Sequence, residues 1–324
     1  MLMNILVKSG VEQLPLFEKE DFPYFEAYLR GDEDKNDLNQ LLRTKMKLIS
    51  IHLPHSIQTS LGKRPIDFCD SGETGKASFL ILEKILNFSQ KNDVKYIVIH
   101  LGFYNYLTED RYSVLMRTAQ RFKALPSGKV TLCLENVPCW TNLCFENEPV
   151  ISDAEHFSYF KKYCPNIGLT FDTDHLAITA VFKHFYDGFK AGYLASEDRK
   201  AFREKMEKEI MQATRKAPDF FRKAVEQKII AFLSQVQPDM VHAVGSDFCQ
   251  YQEGKKLPLA GEALPLGYKG MIKGFLVEDR LDHAVWLSRI PKETWITIEL
   301  MLRPEYNYID QIQKSRKWIA AIAR

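Results

Sequence analysis

Short, almost unbroken apolar runs alternate along this chain with longer stretches whose apolar residues recur every three or four positions. Eight runs read as strands, at 3–8, 22–29, 47–54, 95–102, 129–137, 166–174, 239–245 and 294–300. Most are continuous Val, Ile, Leu or aromatic residues, as expected for parallel strands covered on both faces. Between them, 75–91, 109–124, 153–163, 279–290 and 305–323 have helical spacing. This repeated alternation predicts βαβ units, and eight of them predict an α/β (β/α)8 TIM barrel rather than an open doubly wound sheet. No Gly-rich fingerprint follows the first run, so a dinucleotide fold has no support. The expected organisation is one domain over 1–324. It is interrupted between strands 6 and 7 by a helical insertion at 180–237, lying over the barrel mouth. Such an insertion would serve either as a lid over substrate or as a surface for a homo-oligomer.

Six of the runs end in side chains that can hold a metal. They read KLISIHLP, KYIVIHLG, KVTLCLENV, IGLTFDTDH, DMVHAVG and TWITIEL, and they supply His52, His100, Glu135, Asp172 with His175, His242 and Glu299. The C-terminal ends of parallel barrel strands meet at one mouth, so groups distant in sequence would share one site there. Carboxylates are rarely buried unpaired. Three of them on one axis repel, and no strand offers a Lys or Arg at the matching position. A divalent ion is therefore expected, and imidazole with carboxylate suits zinc, manganese, iron or magnesium.

Composition narrows the partners. Lys plus Arg is 44 and Asp plus Glu is 42, for a net charge of +2, so nothing argues for a nucleic acid. No apolar run reaches the roughly 18 residues that mark a membrane helix, and the first ten residues do not read as a signal peptide. The six cysteines form no C-x-x-C pair, and Cys133 falls in a strand, where a buried free thiol is expected. The expected compartment is cytoplasmic and reducing.

The motifs IHLPHS, VIHLG, CLENVP, FDTDH, VHAVGS, LPLGYKG at 264–270 and ITIEL occur in this order along nearly the whole chain. Together they resemble the xylose isomerase-like TIM-barrel superfamily, which includes sugar isomerases and epimerases and an endonuclease IV branch. The D-x-x-H element with E-N upstream is the most specific part. The resemblance implies that Glu135, Asp172, His242 and Glu299 hold one metal, and that His52 and His100 permit a second ion bridged by Glu135. It implies that His175 contacts substrate, as in the epimerases, or holds a third ion, as in the endonuclease IV branch. It also implies that Glu135 and Glu299 are catalytic, passing a proton through a metal-stabilised ene-diolate of a sugar, sugar phosphate or related hydroxy-carbonyl compound. Trp140, with Phe103, Tyr104 and Tyr106, could stack on that small carbohydrate. Lys269, with Lys63, Arg64 and Lys273, could take its phosphate.

The chain also departs from these patterns. GEALPLG holds no His, leaving Glu262 as the only candidate ligand there. Gly245 replaces the Asp that commonly follows the seventh strand, with Asp247 shifted from its place, and Thr141 replaces a second Glu of the epimerases. Two other readings therefore stand beside the isomerase: a two-metal phosphoesterase of the abasic-site endonuclease type, and a metal-holding binding protein without catalysis.

Overall fold

The computed structural model of the protein describes residues 4–33, 35–60, 62–139, 146–248, 263–272 and 275–322. The eight expected strands form a closed parallel barrel. They are β1 (Asn4–Ser9), β2 (Tyr24–Tyr28), β3 (Lys47–His52), β4 (Tyr96–Ile99), β5 (Thr131–Glu135), β6 (Gly168–Asp172), β7 (Met240–Ala243) and β8 (Trp295–Ile298). Each pairs with its sequence neighbours, and β8 closes the cylinder on β1 through Asn4↔Trp295 to Val7↔Ile298.

The main helices are α1 (Glu73–Lys91), α2 (Arg111–Lys123), α3 (Ala154–Tyr163), α4 (Thr173–Lys183), α5 (Tyr186–Ala195), α6 (Arg199–Lys216), α7 (Pro218–Gln235), α8 (His283–Leu287) and α9 (Tyr308–Ile322). In α1 the buried positions Gly75, Ser78, Leu82, Ile85, Leu86 and Ser89 follow the three-and-four spacing of one face. Asp110 caps α2 by accepting the Ser113 N–H at 2.8 Å.

The pleat sorts the barrel interior into layers. Successive side chains alternate between faces, so inward residues lie two apart. Leu6, Ile49, Val98, Met240 and Trp295 pack together as an apolar plug. Two residues further along their strands, Lys8, His100 and His242 take the inward positions above that plug. The register sets Lys8 level with Glu26 and Asp172 level with His242.

Residues 173–235, between β6 and β7, form the four helices α4 to α7. The expected insertion, 180–237, covers α5, α6, α7 and the end of α4. Helix α7 packs against α3, α4 and α8. Helices α5 and α6 reach the connections that follow β4 and β5. Lys190 lies 3.8 Å from the centre of the Tyr106 ring. Tyr186 donates to Glu148, and Arg199 pairs with Glu146. No helix among the described residues is long and apolar enough to cross a membrane.

Cys133 is a buried free thiol, as are Cys69 and Cys164. Cys139 departs from the expectation of unpaired cysteines, because it is disulfide-bonded. A scan for C-x-x-C spacing does not detect such a bond.

Candidate metal centre

Glu135 stands at the centre of the mouth. Its Oε2 lies 3.0 Å from His52 Nε2, 3.3 Å from His100 Nε2 and 3.5 Å from His242 Nδ1, while its Oε1 lies 3.1 Å from His175 Nδ1. His242 Nδ1 in turn lies 3.0 Å from Glu299 Oε2 and 3.9 Å from Asp172 Oδ2. All seven residues read from the strand ends thus converge. Asp172, His242 and Glu299 form one compact set of donor atoms, and His52, Glu135 and His242 form another.

Local structure explains the aim of each group. Asp172 ends β6 and caps α4, accepting the His175 N–H at 2.7 Å. One turn of helix therefore places His175 beside it. Asn136 clamps the same point: its Oδ1 accepts the Asp172 N–H at 2.8 Å, and its Nδ2 donates to the Asp172 carbonyl at 2.9 Å. His175 Nδ1 meets the Asn136 carbonyl at 2.8 Å, and His52 Nδ1 meets the Leu53 carbonyl at 2.6 Å. For His52 this contact turns Nε2 toward Glu135, whereas His175 uses the same Nδ1 for the Asn136 carbonyl and for Glu135 Oε1.

The charges are strongly coupled. Burial opposes ionisation of Glu135, but His242, His100 and His175 outweigh it and hold the carboxyl well below the usual range. Burial likewise opposes the Glu299 carboxylate, and Lys8 followed by His242 keeps it ionised. Asp172 goes the other way. Burial, reinforced by the charges of Glu135 and Glu299, pushes it up to about 6. His175 is raised to about 10, because Asp172 and Glu135 overcome the burial that would lower it.

Three participants escaped the reading of strand ends. Lys8 on β1 places its Nζ 2.7 Å from Glu299 Oε2, which corrects the expectation that no strand carries a cation there. It lies inside the first apolar run, whose hydrophobicity concealed it. Glu26 on β2 is fully buried, lies 3.1 Å from His242 Nε2 and accepts from Ser50 Oγ at 2.6 Å. The strand-interior position of Glu26 was the available signal. His55 stands three residues beyond His52, its ring stacked on His100 with centroids 4.8 Å apart. It is the second His of IHLPHS.

Other expected contacts fall elsewhere. Lys269 is exposed and pairs with Glu278 at 3.3 Å, and no polar contact among the described residues joins it to the cluster. The Tyr104 hydroxyl donates to Glu148 at 2.8 Å, and its ring packs under Arg111. Asp247 is engaged by Arg280 at 2.5 Å. Trp140, Thr141, Glu262 and Lys273 lie outside the described residues.

The donor set fits a divalent cation. Both ring nitrogens of His242, Nε2 of His100, Oε2 of Glu299 and Oε1 of Glu26 are buried without a hydrogen bond of good geometry. Such groups are costly to leave unsatisfied. Ligands at about 2.1 Å in a tetrahedron stand roughly 3.4 Å apart. The 3.0, 3.5 and 3.9 Å separations around His242 Nδ1 lie close to that spacing.

The closed barrel has counterparts among solved structures. A D-tagatose 3-epimerase-like protein superposes with a TM-score of 0.60 at 14% identity, over 99% of this chain and 97% of the other. A xylose isomerase domain protein from Planctomyces limnophilus gives 0.56 at 13% identity, over 99% and 96%. The IolI protein with a bound zinc atom gives 0.55 at 16% identity, over 99% and 98%. The fold is that of the xylose isomerase-like TIM barrels, the type its motifs resemble. No protein-family model and no curated protein sequence matches the chain.

Proposed function

We propose that the protein is a divalent-metal-dependent isomerase or epimerase of a small hydroxy-carbonyl compound, of the sugar or sugar-phosphate class. One observation carries this reading: the carboxylates Glu135 and Glu299 flank His242 Nδ1 at 3.5 and 3.0 Å, with Asp172 beside them. Glu135, Asp172, His242 and Glu299 would hold the ion. When bound, it would polarise a carbonyl and acidify the adjacent C–H.

The protein supplies the proton transfer. Glu135, kept ionised by its imidazole neighbours, accepts a proton from carbon, and Glu299 serves the opposite side. Lys8 favours the charged form of Glu299, the state that can take a proton; to give one to the opposite face, Glu299 must first gain it from solvent. His175, protonated and fixed against the Asn136 carbonyl, donates to a substrate hydroxyl. The neighbours support the fold of this reading, and the D-tagatose 3-epimerase-like protein among them favours its sugar chemistry.

The test is exchange of solvent deuterium into the carbon next to the carbonyl, across a panel of ketoses and ketose phosphates, with protein reconstituted in zinc or manganese. Exchange lost in both Glu135→Gln and Glu299→Gln is the expected result. A metal-loaded protein that exchanges none of the panel overturns the reading, and it leaves a binding protein without catalysis. The grouping of His52 and His100 on Glu135 Oε2 favours a second reading, two-ion hydrolysis of a phosphate ester. Nicking of abasic DNA, or release of phosphate from model diesters, is its signature.

A further inference from the structure

Glu26 is a carboxylate that neither the ion-holding set nor the proton transfer uses. It lies within β2 and is fully buried, as are Ser50, His242 and Thr297 around it. Burying a carboxylate is costly, so packing alone gives no reason for one at this depth. Register brings the group together: Glu26 is level with Ser50 on β3, and His242 is level with Thr297 on β8.

The two oxygens of Glu26 face different neighbours. Oε2 accepts from Ser50 Oγ at 2.6 Å and from Thr297 Oγ1 at 3.4 Å. These hydroxyls anchor the carboxylate and leave Oε1 facing His242 Nε2 at 3.1 Å. Among the described residues, neither Oε1 nor Nε2 has a hydrogen bond to another group, so each is the other's available partner. The opposite ring nitrogen, Nδ1, faces Glu299, Glu135 and Asp172 at 3.0, 3.5 and 3.9 Å. A single imidazole thus stands between an outer carboxylate and the pocket. A neutral imidazole carries its proton on one nitrogen only. A carboxylate beside Nε2 draws the proton there, and Nδ1 keeps its lone pair.

We propose that Glu26 is the positioning residue for His242: it holds the ring through Nε2 and commits Nδ1 to the ion. It acts through His242 and not on the ion or the substrate. Asp172 and Glu299 have outer partners of their own in Asn136 and Lys8, so Glu26 completes a layer that serves three ligands. The inference rests on the metal centre of the proposed function, not on its isomerase chemistry.

The experiment uses whole-chain wild type, Glu26→Gln and Ser50→Ala. Zinc affinity is read by competition with a chromogenic chelator, and stability by urea unfolding in chelator. Glu26→Gln keeps the size of the side chain and removes its charge, and it should bind zinc about 10–100-fold more weakly. Ser50→Ala, which frees the anchored oxygen, should fall between that variant and wild type. Long-range proton–nitrogen correlation on zinc-loaded wild type should place the His242 proton on Nε2. A merely structural role would lower stability in chelator and leave the zinc affinity of the folded protein unchanged. Wild-type affinity in Glu26→Gln, a His242 proton on Nδ1, or a wild type that binds no zinc overturns the proposal. If Glu26→Gln does not fold, wild-type affinity in Ser50→Ala overturns it instead. Weakened zinc binding in Glu26→Gln, with no ketose exchanged by wild type, leaves this inference standing and removes the isomerase reading. Unchanged affinity with exchange intact does the reverse.

Discussion

Replacing Lys8 by Met tests whether a protein cation and a metal share the work of neutralising the mouth. Lys8 Nζ lies 2.7 Å from Glu299 Oε2 and is buried. It also feels the charges of Glu26 and Glu135, which raise its pKa although burial alone would lower it. At an effective dielectric of 20, two unit charges at that distance attract by about 6 kcal/mol. Burial of the ammonium cancels part of this, and removing one partner of a buried pair costs about 3–5 kcal/mol. In the ion-free protein that loss lowers Tm by roughly 5–10 °C. At saturating zinc the ion takes over the neutralisation, and the loss should fall to roughly half or less. A lysine with a raised folded pKa contributes fully below its unfolded value of 10.5 and loses that contribution only as pH rises beyond it. A comparison at pH 7.5 therefore measures the whole effect. The assay is thermal unfolding of wild type, Lys8→Met and Lys8→Arg, each in chelator and in excess zinc. Equal losses with and without zinc, or no loss in chelator, would refute the shared role.

Asn136→Ala removes both clamps on the Asp172 backbone, leaving a buried N–H and C=O unpaired. A loss of about 2–4 kcal/mol in urea unfolding is expected, with weaker zinc binding by competition against a chromogenic chelator. Asp153 is held at about 2 because Lys183 and Lys228 outweigh its burial. Its stabilisation is present above pH 4 and disappears as pH falls toward 2. It amounts to at most about 2 kcal/mol, and nearer 1 because Lys183 stands half in solvent. Asp153→Asn should flatten that limb of the stability-versus-pH curve. Gly102 has φ +115°, and a Cβ there would sit 2.1 Å from Asp67 Oδ1. Gly102→Ala should cost about 2–4 kcal/mol by the same unfolding assay.

The barrel was legible because each strand is nearly all apolar and each covering helix carries a one-sided stripe, two periods that survive without knowledge of contacts. The seven strand-end residues that converge at the mouth were legible for a related reason: an ionisable group at the end of a buried strand is costly, so it stands out. Lys8 and Glu26 were not read as site members, since each lies within an apolar run and only closure of β1 and β2 onto β8 and β7 gives them partners. His55 needed the turn after β3, which stacks it on a histidine 45 positions away. Lys269 shows the converse, a charge in a suggestive segment that instead starts a short hairpin strand (Lys269–Ile272) and pairs with Glu278 across it. Periodicity and desolvation cost are local properties and are written along the chain. Which charges face each other depends on register, barrel closure and loop path, and only the folded chain decides those.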